Sequence, residues 1–292
     1  MNETFAGQTV EAARRKLTAR FKSSAVDSAE LDARMLVGAA LSLDLTGLIA
    51  AAARPITADQ AARLEEFARR RLAGEPVARI LESREFWGLP LQLTAATLVP
   101  RPDTETVVEL ALEMLGASAP KRPLRVADLG TGSGAILLAL LSELPDAYGI
   151  GTDISVAALQ TAGSNTARLG FASRAAFVAC DYAAALSDTF DLMVSNPPYI
   201  RSADIAGLAT EVRDHDPLLA LDGGADGLDA YRRLIPQAAE RLAAGGVLVV
   251  EAGHDQSEDI AGLMAAAGLT QERPAKADLA GIRRALAARK MP

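Results

Sequence analysis

Cysteine, histidine and aromatic residues are scarce in this chain of 292 residues, which has one Cys, two His and 4% aromatic residues. A single cysteine excludes a disulfide framework. One Cys and two His also leave too few soft ligands for a structural zinc site, so we expect no metal centre. Both observations are typical of a protein of the reducing cytoplasm.

An excess of positive charge is also missing. Lys and Arg total 30 and Asp and Glu total 37, which gives a formal charge of −7. Because proteins that bind bulk nucleic acid through charge are normally basic, we expect no direct nucleic-acid substrate. Met1–Phe5 shows no basic region followed by an apolar run, so no targeting signal is expected. The apolar window Met35–Ala53 carries Asp44 near its centre, which favours a pair of buried helices over a membrane span.

Helical periodicity dominates the first 75 residues, where a small N-terminal helical domain is expected over residues 1–75. Two helix faces are predicted, one with Val10, Ala13, Leu17 and Phe21, the other with Leu31, Met35, Leu36 and Ala39. A capping box at Thr57 and Gln60 predicts the start of a third helix. Residues 76–99 then favour a β-hairpin linker with its turn at Gly88–Pro90, and residues 100–292 form the remaining domain.

Strand and helix patterns alternate through residues 100–292. The predicted strands are Arg125–Leu129, Tyr148–Thr152, Ala176–Cys180, Asp191–Ser195 and Val247–Glu251, with helices such as Gly134–Leu144 and Val156–Leu169 between them. This alternation predicts an α/β fold in which a mostly parallel sheet has helices on both faces. Ligands of such sheets bind at the carboxyl ends of the strands, near the switch point in strand order.

A glycine-rich loop follows the first of these strands, with glycines at positions 130, 132 and 134 after Asp128. Glycine permits positive φ and lets backbone approach a ligand closely. The spacing alone fits a tight βα turn, a nicotinamide dinucleotide site or an S-adenosylmethionine site. Asp128 favours the last, because a carboxylate there would repel a phosphate and could hold a cationic amino group.

Acidic residues follow the next two strands. Asp153 could accept hydrogen bonds from both ribose hydroxyls of an adenosine, and Asp181 could accept from an adenine amine. Tyr182 could lie against the adenine ring. The alternative for Asp181 and Tyr182 is a solvated loop acid and an ordinary half-buried tyrosine.

The fourth strand leads into Asn-Pro-Pro-Tyr at Asn196–Tyr199. Each proline fixes φ and keeps the preceding residue out of the helical region, so a stiff extended arch is expected. The Asn196 side-chain oxygen and the Pro197 carbonyl could accept both hydrogens of a planar –NH₂ group. The Tyr199 ring could pack on the face of that group and tolerate a nearby sulfonium cation.

Together, these motifs resemble the class I S-adenosylmethionine-dependent methyltransferases that modify planar amino groups. The rest of the chain resembles the HemK/PrmC family of release factor glutamine methyltransferases over residues 30 to 285. The resembling segments are Gly74–Val77, Arg84–Leu89, Pro100–Glu105, Asp222–Leu228, Glu251–Gln256 and Asp278–Gly281. Three departures, Arg79, Glu82 and His215, lie outside the arch and bear on partner docking.

The resemblance implies a Rossmann-like methyltransferase sheet, a substrate-docking N-terminal helical domain and S-adenosyl-L-methionine as methyl donor. It also implies that the substrate is the glutamine of the Gly-Gly-Gln motif in class I peptide chain release factors, methylated on its amide nitrogen in translation termination. The candidate catalytic residues are Asn196, Pro197, Pro198 and Tyr199. The candidate cofactor-binding residues are Asp128, Gly130, Thr131, Gly132, Ser133, Gly134, Asp153, Asp181, Tyr182 and Asn196.

Three other functions use some of the same residues. A nucleic-acid adenine N6-methyltransferase would share the arch and the cofactor, but the net charge of −7 and the lack of a basic-aromatic stripe disfavour it. An NAD-dependent oxidoreductase would leave Asp128 and the arch without a role. A catalytically silent binding module is disfavoured by the intact Asn196 and glycine loop.

Overall fold

A computed structural model describes residues 5–116 and 122–292 of the chain. Residues 1–4, which include most of the segment inspected for a targeting signal and the start of the predicted helical domain, lie outside the described residues. The chain divides into two compact units. One runs to Glu82 and includes Thr210–His215, and the other comprises Ser83–Ala209 and Asp216–Pro292. Within the described ranges, no helix is both long and apolar enough to cross a bilayer.

The first unit is helical. Its helices are α1 (Val10–Ser23), α2 (Ala29–Leu41), α3 (Leu45–Ala50), α4 (Ala58–Leu72) and α5 (Val77–Ile80). The buried residues of α1 are the four that the sequence pattern predicted, which confirms that helix face. The capping box is also confirmed, because Thr57 Oγ1 accepts from Gln60 N at 3.3 Å and Gln60 Oε1 accepts from Thr57 N at 3.1 Å.

The predicted apolar face of α2 is right only in part. Leu36 is buried, but Leu31 is 46% exposed and Met35 is 37% exposed, and the buried side of the helix also includes Asp32. The Asp32 carboxylate is buried because Arg71 Nε of α4 donates to it at 2.7 Å. Since an ionic pair occupies part of the buried face, the spacing of large apolar residues located that face only in part. The short helix α3 likewise buries only Leu48.

The predicted hairpin is confirmed, with its turn displaced. Strands β1 (Ser83–Phe86) and β2 (Leu89–Gln92) pair antiparallel. The turn lies at Trp87 and Gly88, which have φ of 52° and 70°, the pair of positive values that a tight type I′ hairpin needs. Leu89 and Pro90, assigned to the turn from the sequence, belong to β2.

The second unit contains a sheet of eight strands with helices between them. Its elements are α6 (Glu105–Leu115), β3 (Arg125–Leu129), α7 (Ala135–Glu143), β4 (Tyr148–Asp153), α8 (Val156–Arg168), β5 (Ala175–Ala179), β6 (Phe190–Ser195), α10 (Asp229–Arg241), β7 (Leu242–Glu251), α11 (Ser257–Ala266), β8 (Leu269–Thr270), β9 (Lys276–Ala277) and β10 (Arg283–Lys290). Helix α9 (Thr210–Arg213) is grouped with the first unit. All five predicted strands are confirmed, with ends that differ by at most one residue except at the start of β7, which lies five residues earlier.

The sheet is covered by helices on both faces, as predicted. Alternate residues of its strands enter two separate apolar cores. Val126, Leu192 and Val249 pack in the core with α6 and α7. Their neighbours in sequence, such as Ala127 and Met193, pack in the core with α10 and α11. Successive side chains of a strand point to opposite faces of the sheet, so each of these strands contributes to both cores.

The order of the strands is β5-β4-β3-β6-β7-β10-β8, and β9 pairs with β10. Strands β3 to β7 run parallel to one another, and β10 is antiparallel to β7. The chain builds outward from β3 through β4 to β5 and then returns to the other side of β3 as β6. The switch point therefore lies between β3 and β6, where the loops after both strands can form a ligand site.

Candidate active site

The glycine loop follows β3 at the switch point. The Gly130 and Thr131 amides both donate to Thr152 O of the adjacent β4 at 2.8 Å. Gly130 and Gly132 have φ of 77° and 56°, a backbone region that disfavours a side chain. Gly134, with φ of 84°, caps α7, and a Cβ there would lie 3.3 Å from Ala162 Cβ. The loop is thus pinned to β4 and packed against α8.

Asp128 lies beneath this loop. Its Oδ2 accepts from Thr131 Oγ1 at 2.7 Å and from Leu137 N at 3.3 Å, while its buried Oδ1 has no partner among the described residues. Burial raises the pKa of the carboxyl to about 7, against the lowering effect of these two hydrogen bonds. The Asp128 carboxyl is thus fixed against the glycine loop through Thr131, which lines the cavity.

Asp153 lies at the end of β4 and faces the cavity. Its Oδ2 accepts from Gly132 N at 3.0 Å, and its Oδ1 accepts from Ser155 N at 2.8 Å. Each carboxylate oxygen retains acceptor capacity beyond these bonds. The side chain is therefore held in a fixed orientation in which it can still bind hydroxyl groups.

Asp181 and Tyr182 follow β5 and also line the cavity. Asp181 pairs with Arg233 of α10 at 3.2 Å, and the Arg233 guanidinium lies 5.4 Å from the centre of the Tyr182 ring. Tyr182 is 8% exposed and has φ of 50°. Burial raises the pKa of its hydroxyl to about 12, so the ring presents a neutral surface.

The arch at Asn196–Tyr199 follows β6 and faces the glycine loop across the switch point. It is anchored at its start by Ser195 Oγ, which donates to Leu129 O of β3 at 2.6 Å. The Asn196 amide nitrogen donates to Thr104 Oγ1 at 3.2 Å. That nitrogen therefore has a protein partner, whereas the Asn196 side-chain oxygen accepts no hydrogen bond from residues 5–116 and 122–292.

The far end of the arch is held by Gln256, which is 2% exposed. Its Nε2 donates to Tyr199 O at 3.1 Å and to Gly227 O at 3.2 Å, and its Oε1 accepts from Gly253 N at 3.1 Å. A side chain at Gly227 would lie 2.4 Å from Tyr199 O. The loop after β7 and the segment before α10 therefore fix the arch together.

A buried carboxyl lies behind the arch. Glu251, the last residue of β7, is 2% exposed, and its Oε1 accepts from the Tyr199 hydroxyl at 3.0 Å. Burial raises the pKa of Glu251, whereas the Thr104 and Tyr199 hydroxyls and the Arg284 guanidinium lower it. The Tyr199 hydroxyl is thereby tied to the end of β7, and its side chain is half-buried beside the arch.

A cavity of about 290 Å³ joins the glycine loop to the arch. It is lined by the predicted residues Gly130, Thr131, Gly132, Ser133, Asp153, Asp181, Tyr182, Asn196, Pro197 and Pro198. Asp128, Gly134 and Tyr199 support the wall from behind. Sequence reasoning gave no role to Leu98, Thr104, Asp222 or Arg233, which also line it. Asp222 and Thr104 lie in segments that carried the family resemblance, the only sequence signal that could have found them.

Comparisons with known proteins agree with this geometry. Residues 12–81 match the PrmC N-terminal domain, and residues 105–212 match the methyltransferase small domain. A release factor glutamine methyltransferase of Bradyrhizobium diazoefficiens is 63% identical over 100% of this chain and 98% of its own length. That of Rhodospirillum rubrum is 49% identical over 93% of this chain and 82% of its own length.

Among solved structures, a methyltransferase from Pyrococcus furiosus has a similar fold, with a TM-score of 0.52 and 16% identity over 78% of this chain and all of that one. The fold and the family models define an enzyme, a class I S-adenosylmethionine-dependent methyltransferase. At the identity and coverage found, the chain belongs to the family of release factor glutamine methyltransferases.

Proposed function

We propose that this enzyme methylates the side-chain amide nitrogen of the glutamine in the Gly-Gly-Gln motif of class I release factors. The observation that carries the proposal is the fixed Asn196 amide, whose nitrogen is engaged by Thr104 at 3.2 Å and whose oxygen is left to accept. The adjacent Pro197 lies beyond the end of β6 and lines the same cavity, and we propose that its carbonyl is the second acceptor. Two acceptors side by side match the two hydrogens of a carboxamide.

The amide nitrogen of glutamine is a poor nucleophile, because its lone pair is delocalised into the carbonyl. We propose that Asn196 Oδ1 and Pro197 O accept its two hydrogens and thereby direct the lone pair into the cavity. Bound S-adenosylmethionine supplies an electrophilic methyl group there. In the transfer, the N–C bond would form as the C–S bond breaks, S-adenosylhomocysteine would leave, and the nitrogen would then lose its proton to solvent water. Positioning of this kind contributes up to ~7–11 kcal/mol in ideal cases.

The cavity suits an adenosyl donor with an amino-acid tail. We assign backbone contacts with this donor to Gly130, Thr131, Gly132 and Ser133, because the glycines leave the loop backbone uncovered by side chains. Gly134 would support the loop structurally. Asp153 would accept from the ribose hydroxyls, and Asp181 and Tyr182 would contact the adenine. Asp128, held by Thr131, would accept from the cationic amino group of the donor, whose positive charge would favour the ionised carboxyl.

We further propose that residues 1–75 dock the release factor, that residues 76–99 link the domains and that residues 100–292 catalyse transfer. A substrate that works in translation places the reaction in the cytoplasm. Removal of residues 1–75 should then leave S-adenosylhomocysteine affinity intact and abolish methylation of an intact release factor. Retained methylation of the intact factor would contradict the docking role.

The experiment that tests the function offers labelled S-adenosylmethionine with three acceptors in separate reactions. These are a release factor, the same factor with its Gly-Gly-Gln glutamine replaced by alanine, and duplex DNA. We expect label only on the unaltered factor, with a gain of one methyl on glutamine by mass spectrometry. Label on DNA, or on the factor that lacks the glutamine, would refute the proposal.

Asn196→Ala provides the matching enzyme variant. It removes one of the two acceptors, so turnover should fall on the order of 100-fold or more. Affinity for S-adenosylhomocysteine, measured by calorimetry, should remain within about threefold, since the glycine loop is unchanged. A variant with near-wild-type turnover would show that the amide does not hold the substrate.

A further inference from the structure

We propose that Asn165 and Thr161 of α8 are positioning residues that set the spacing between the methyl donor and the acceptor amide. They do so by fastening residues 92–104, a stretch that supplies part of the cavity wall and is called the wall segment below, to the glycine loop. The inference deepens the proposed function and rests on it, because it takes the glycine loop to hold the donor and the arch to hold the acceptor. Both residues act through other residues, so neither needs to touch the substrate.

Asn165 is fully buried, and its carboxamide joins two separate stretches of backbone. Its Oδ1 accepts from Gln92 N at 2.7 Å, and its Nδ2 donates to Gln92 O at 3.0 Å. The same nitrogen donates to Ser133 O of the glycine loop at 3.0 Å. One side chain therefore binds the start of the wall segment and the glycine loop at once.

The partners of this carboxamide fix its orientation. The Gln92 N–H and the Arg168 guanidinium, which lies 3.2 Å from Asn165 Oδ1, can only donate, whereas the two carbonyls at Nδ2 can only accept. A half-turn of the amide would place each of its ends against groups of the same kind. Both hydrogens of Nδ2 are used, one for each carbonyl, so the glycine loop and the wall segment can separate only if a buried hydrogen bond breaks.

Thr161 fastens the next part of the wall segment. It lies one turn before Asn165 in α8, is 5% exposed, and its Oγ1 lies 2.9 Å from Thr94 Oγ1. Because the Thr161 hydroxyl donates to Ala157 O at 3.1 Å, the hydrogen between the two threonines comes from Thr94. Thr94 in turn closes a tight turn, in which Thr97 N and Thr97 Oγ1 both donate to Thr94 O at 3.2 Å. This turn is thereby anchored to α8.

The wall segment continues from this turn to the acceptor site. Thr97, Leu98 and Pro100 line the cavity directly after the turn. Thr104, at the end of the segment, lines the same cavity and accepts from Asn196 Nδ2 at 3.2 Å. A short length of chain, bonded at both ends, therefore connects the glycine loop with the residue that meets the acceptor amide.

Methyl transfer is sensitive to this connection. The nitrogen lone pair, the methyl carbon and the sulfur must lie in line, and a misplacement of about 1 Å can cost on the order of 100-fold in rate. Buried hydrogen bonds resist such a displacement, since breaking one of them leaves an unsatisfied polar group. Helix α8 is therefore the common support of the donor loop and of the wall that leads to the acceptor.

The test compares Asn165→Asp with the matched control Ser164→Ala. Asn165→Asp keeps the shape and the acceptor for Gln92 N and loses both donated bonds, whereas Ser164 is the exposed neighbour whose Oγ donates to the Gln92 side chain at 3.3 Å. At saturating S-adenosylmethionine, kcat on a release factor should fall on the order of 100-fold in Asn165→Asp and stay within about twofold in Ser164→Ala. S-adenosylhomocysteine affinity, measured by calorimetry, should fall about tenfold in Asn165→Asp, because Ser133 O loses its donor. KM for the factor should stay within about threefold in both variants.

Thr161→Val separates the spacing of the site from the binding of the cofactor. It breaks the contact with Thr94 and leaves the bond from Asn165 to the glycine loop in place. We expect kcat to fall about tenfold while S-adenosylhomocysteine affinity stays within about twofold. This result also decides the matter if Asn165→Asp fails to fold.

Hydrogen exchange of the Gln92 backbone amide, followed in nitrogen-15 spectra, gives a readout without turnover. Bound S-adenosylhomocysteine should stabilise the glycine loop and, through Asn165, slow this exchange at least about fivefold in the wild type and in Ser164→Ala. In Asn165→Asp, whose carboxylate cannot donate to Ser133 O, the same ligand should change the rate less than about twofold.

Wild-type kcat in Asn165→Asp or in Thr161→Val would overturn the inference, as would equal losses in Asn165→Asp and Ser164→Ala. A parallel loss of cofactor affinity in Thr161→Val, or equal slowing of the Gln92 amide in the wild type and Asn165→Asp, would overturn it as well. Failure of the wild type to modify release factors would instead refute the proposed function. The exchange rates of Gln92 would then still decide whether Asn165 connects the glycine loop to the wall segment.

Discussion

Replacement of Asp128 by asparagine should remove a pH-dependent cost of folding. Asp128 is buried beneath the glycine loop, where burial raises the pKa of its carboxyl from 3.8 to about 7. Asparagine has nearly the same shape, and its oxygen can still accept from Thr131 Oγ1 and Leu137 N. The substitution therefore removes the titration while it preserves the local hydrogen bonds.

The sign follows from proton binding. Because the folded chain holds the Asp128 proton more tightly than the unfolded chain, this group favours folding most at low pH and loses that contribution as the pH rises to about 7. The rise in pKa from 3.8 to about 7, at about 1.36 kcal/mol per pH unit, corresponds to about 4 kcal/mol in total. Between about pH 5.5 and about pH 8 the expected loss is about 2 kcal/mol, most of it below the folded pKa.

Urea unfolding followed by circular dichroism measures this effect. The difference in free energy of unfolding between Asp128→Asn and the wild type should grow by about 2 kcal/mol in favour of the variant over that pH range. Other titrating groups cancel in the difference. Asp146→Asn, at an exposed turn position, controls for the change in net charge. Parallel curves for the wild type and Asp128→Asn would show that the folded protein does not hold this proton more tightly.

Further substitutions test how the arch and the loop are supported. Gln256→Ala should lower the methyl-transfer rate about tenfold, with S-adenosylhomocysteine affinity unchanged in calorimetry, because Tyr199 O loses its clamp. Gly227→Ala should lower the free energy of unfolding by about 1–3 kcal/mol, since Gly227 has φ of 78° and no room for Cβ. Asn165→Ala should cost about 2–3 kcal/mol in urea unfolding and weaken cofactor binding, because the buried Asn165 donates to Ser133 O of the glycine loop. These expectations would be contradicted by an unchanged methyl-transfer rate in Gln256→Ala, an unchanged free energy of unfolding in Gly227→Ala, or unchanged cofactor affinity in Asn165→Ala.

The glycine loop and the arch could be predicted from sequence because their geometry is local. Glycine permits positive φ and proline restricts φ, each at its own position, so these residues indicate the local backbone shape directly. The alternation of strands β3 to β7 with helices likewise predicted a mostly parallel sheet from local patterns. The relative placement of the loop and the arch then followed from the switch point alone.

The supports of the site could not be predicted in this way. Thr104 and Asn196 are 92 residues apart, and Tyr199 and Glu251 are 52 apart. Contacts at such separations depend on how the helices dock on the sheet, which periodicity does not state. The position of Asp128 beneath the loop was missed for the same reason, since only the docked α7 brings Leu137 N to its carboxyl.

The buried face of α2 shows a different limit. Apolar spacing chose Leu31, Met35, Leu36 and Ala39, yet of these only Leu36 is fully buried, on a face that also holds alanines and Asp32, the partner of Arg71. Small side chains allow close helix contact, and an ion pair can occupy a helix interface when both partners are satisfied. Side-chain size and polarity alone therefore located the buried face of this helix only in part.

The two consecutive prolines of the arch have a consequence for glutamate. Neither Pro197 nor Pro198 has an N–H, so this stretch of backbone can receive hydrogen bonds but has none to give. A glutamate side chain has the outline of glutamine, yet its carboxylate brings only lone pairs and a negative charge to a surface of carbonyl oxygens. The missing backbone hydrogens thus let the enzyme tell an amide from its hydrolysed acid without any residue devoted to rejecting the acid.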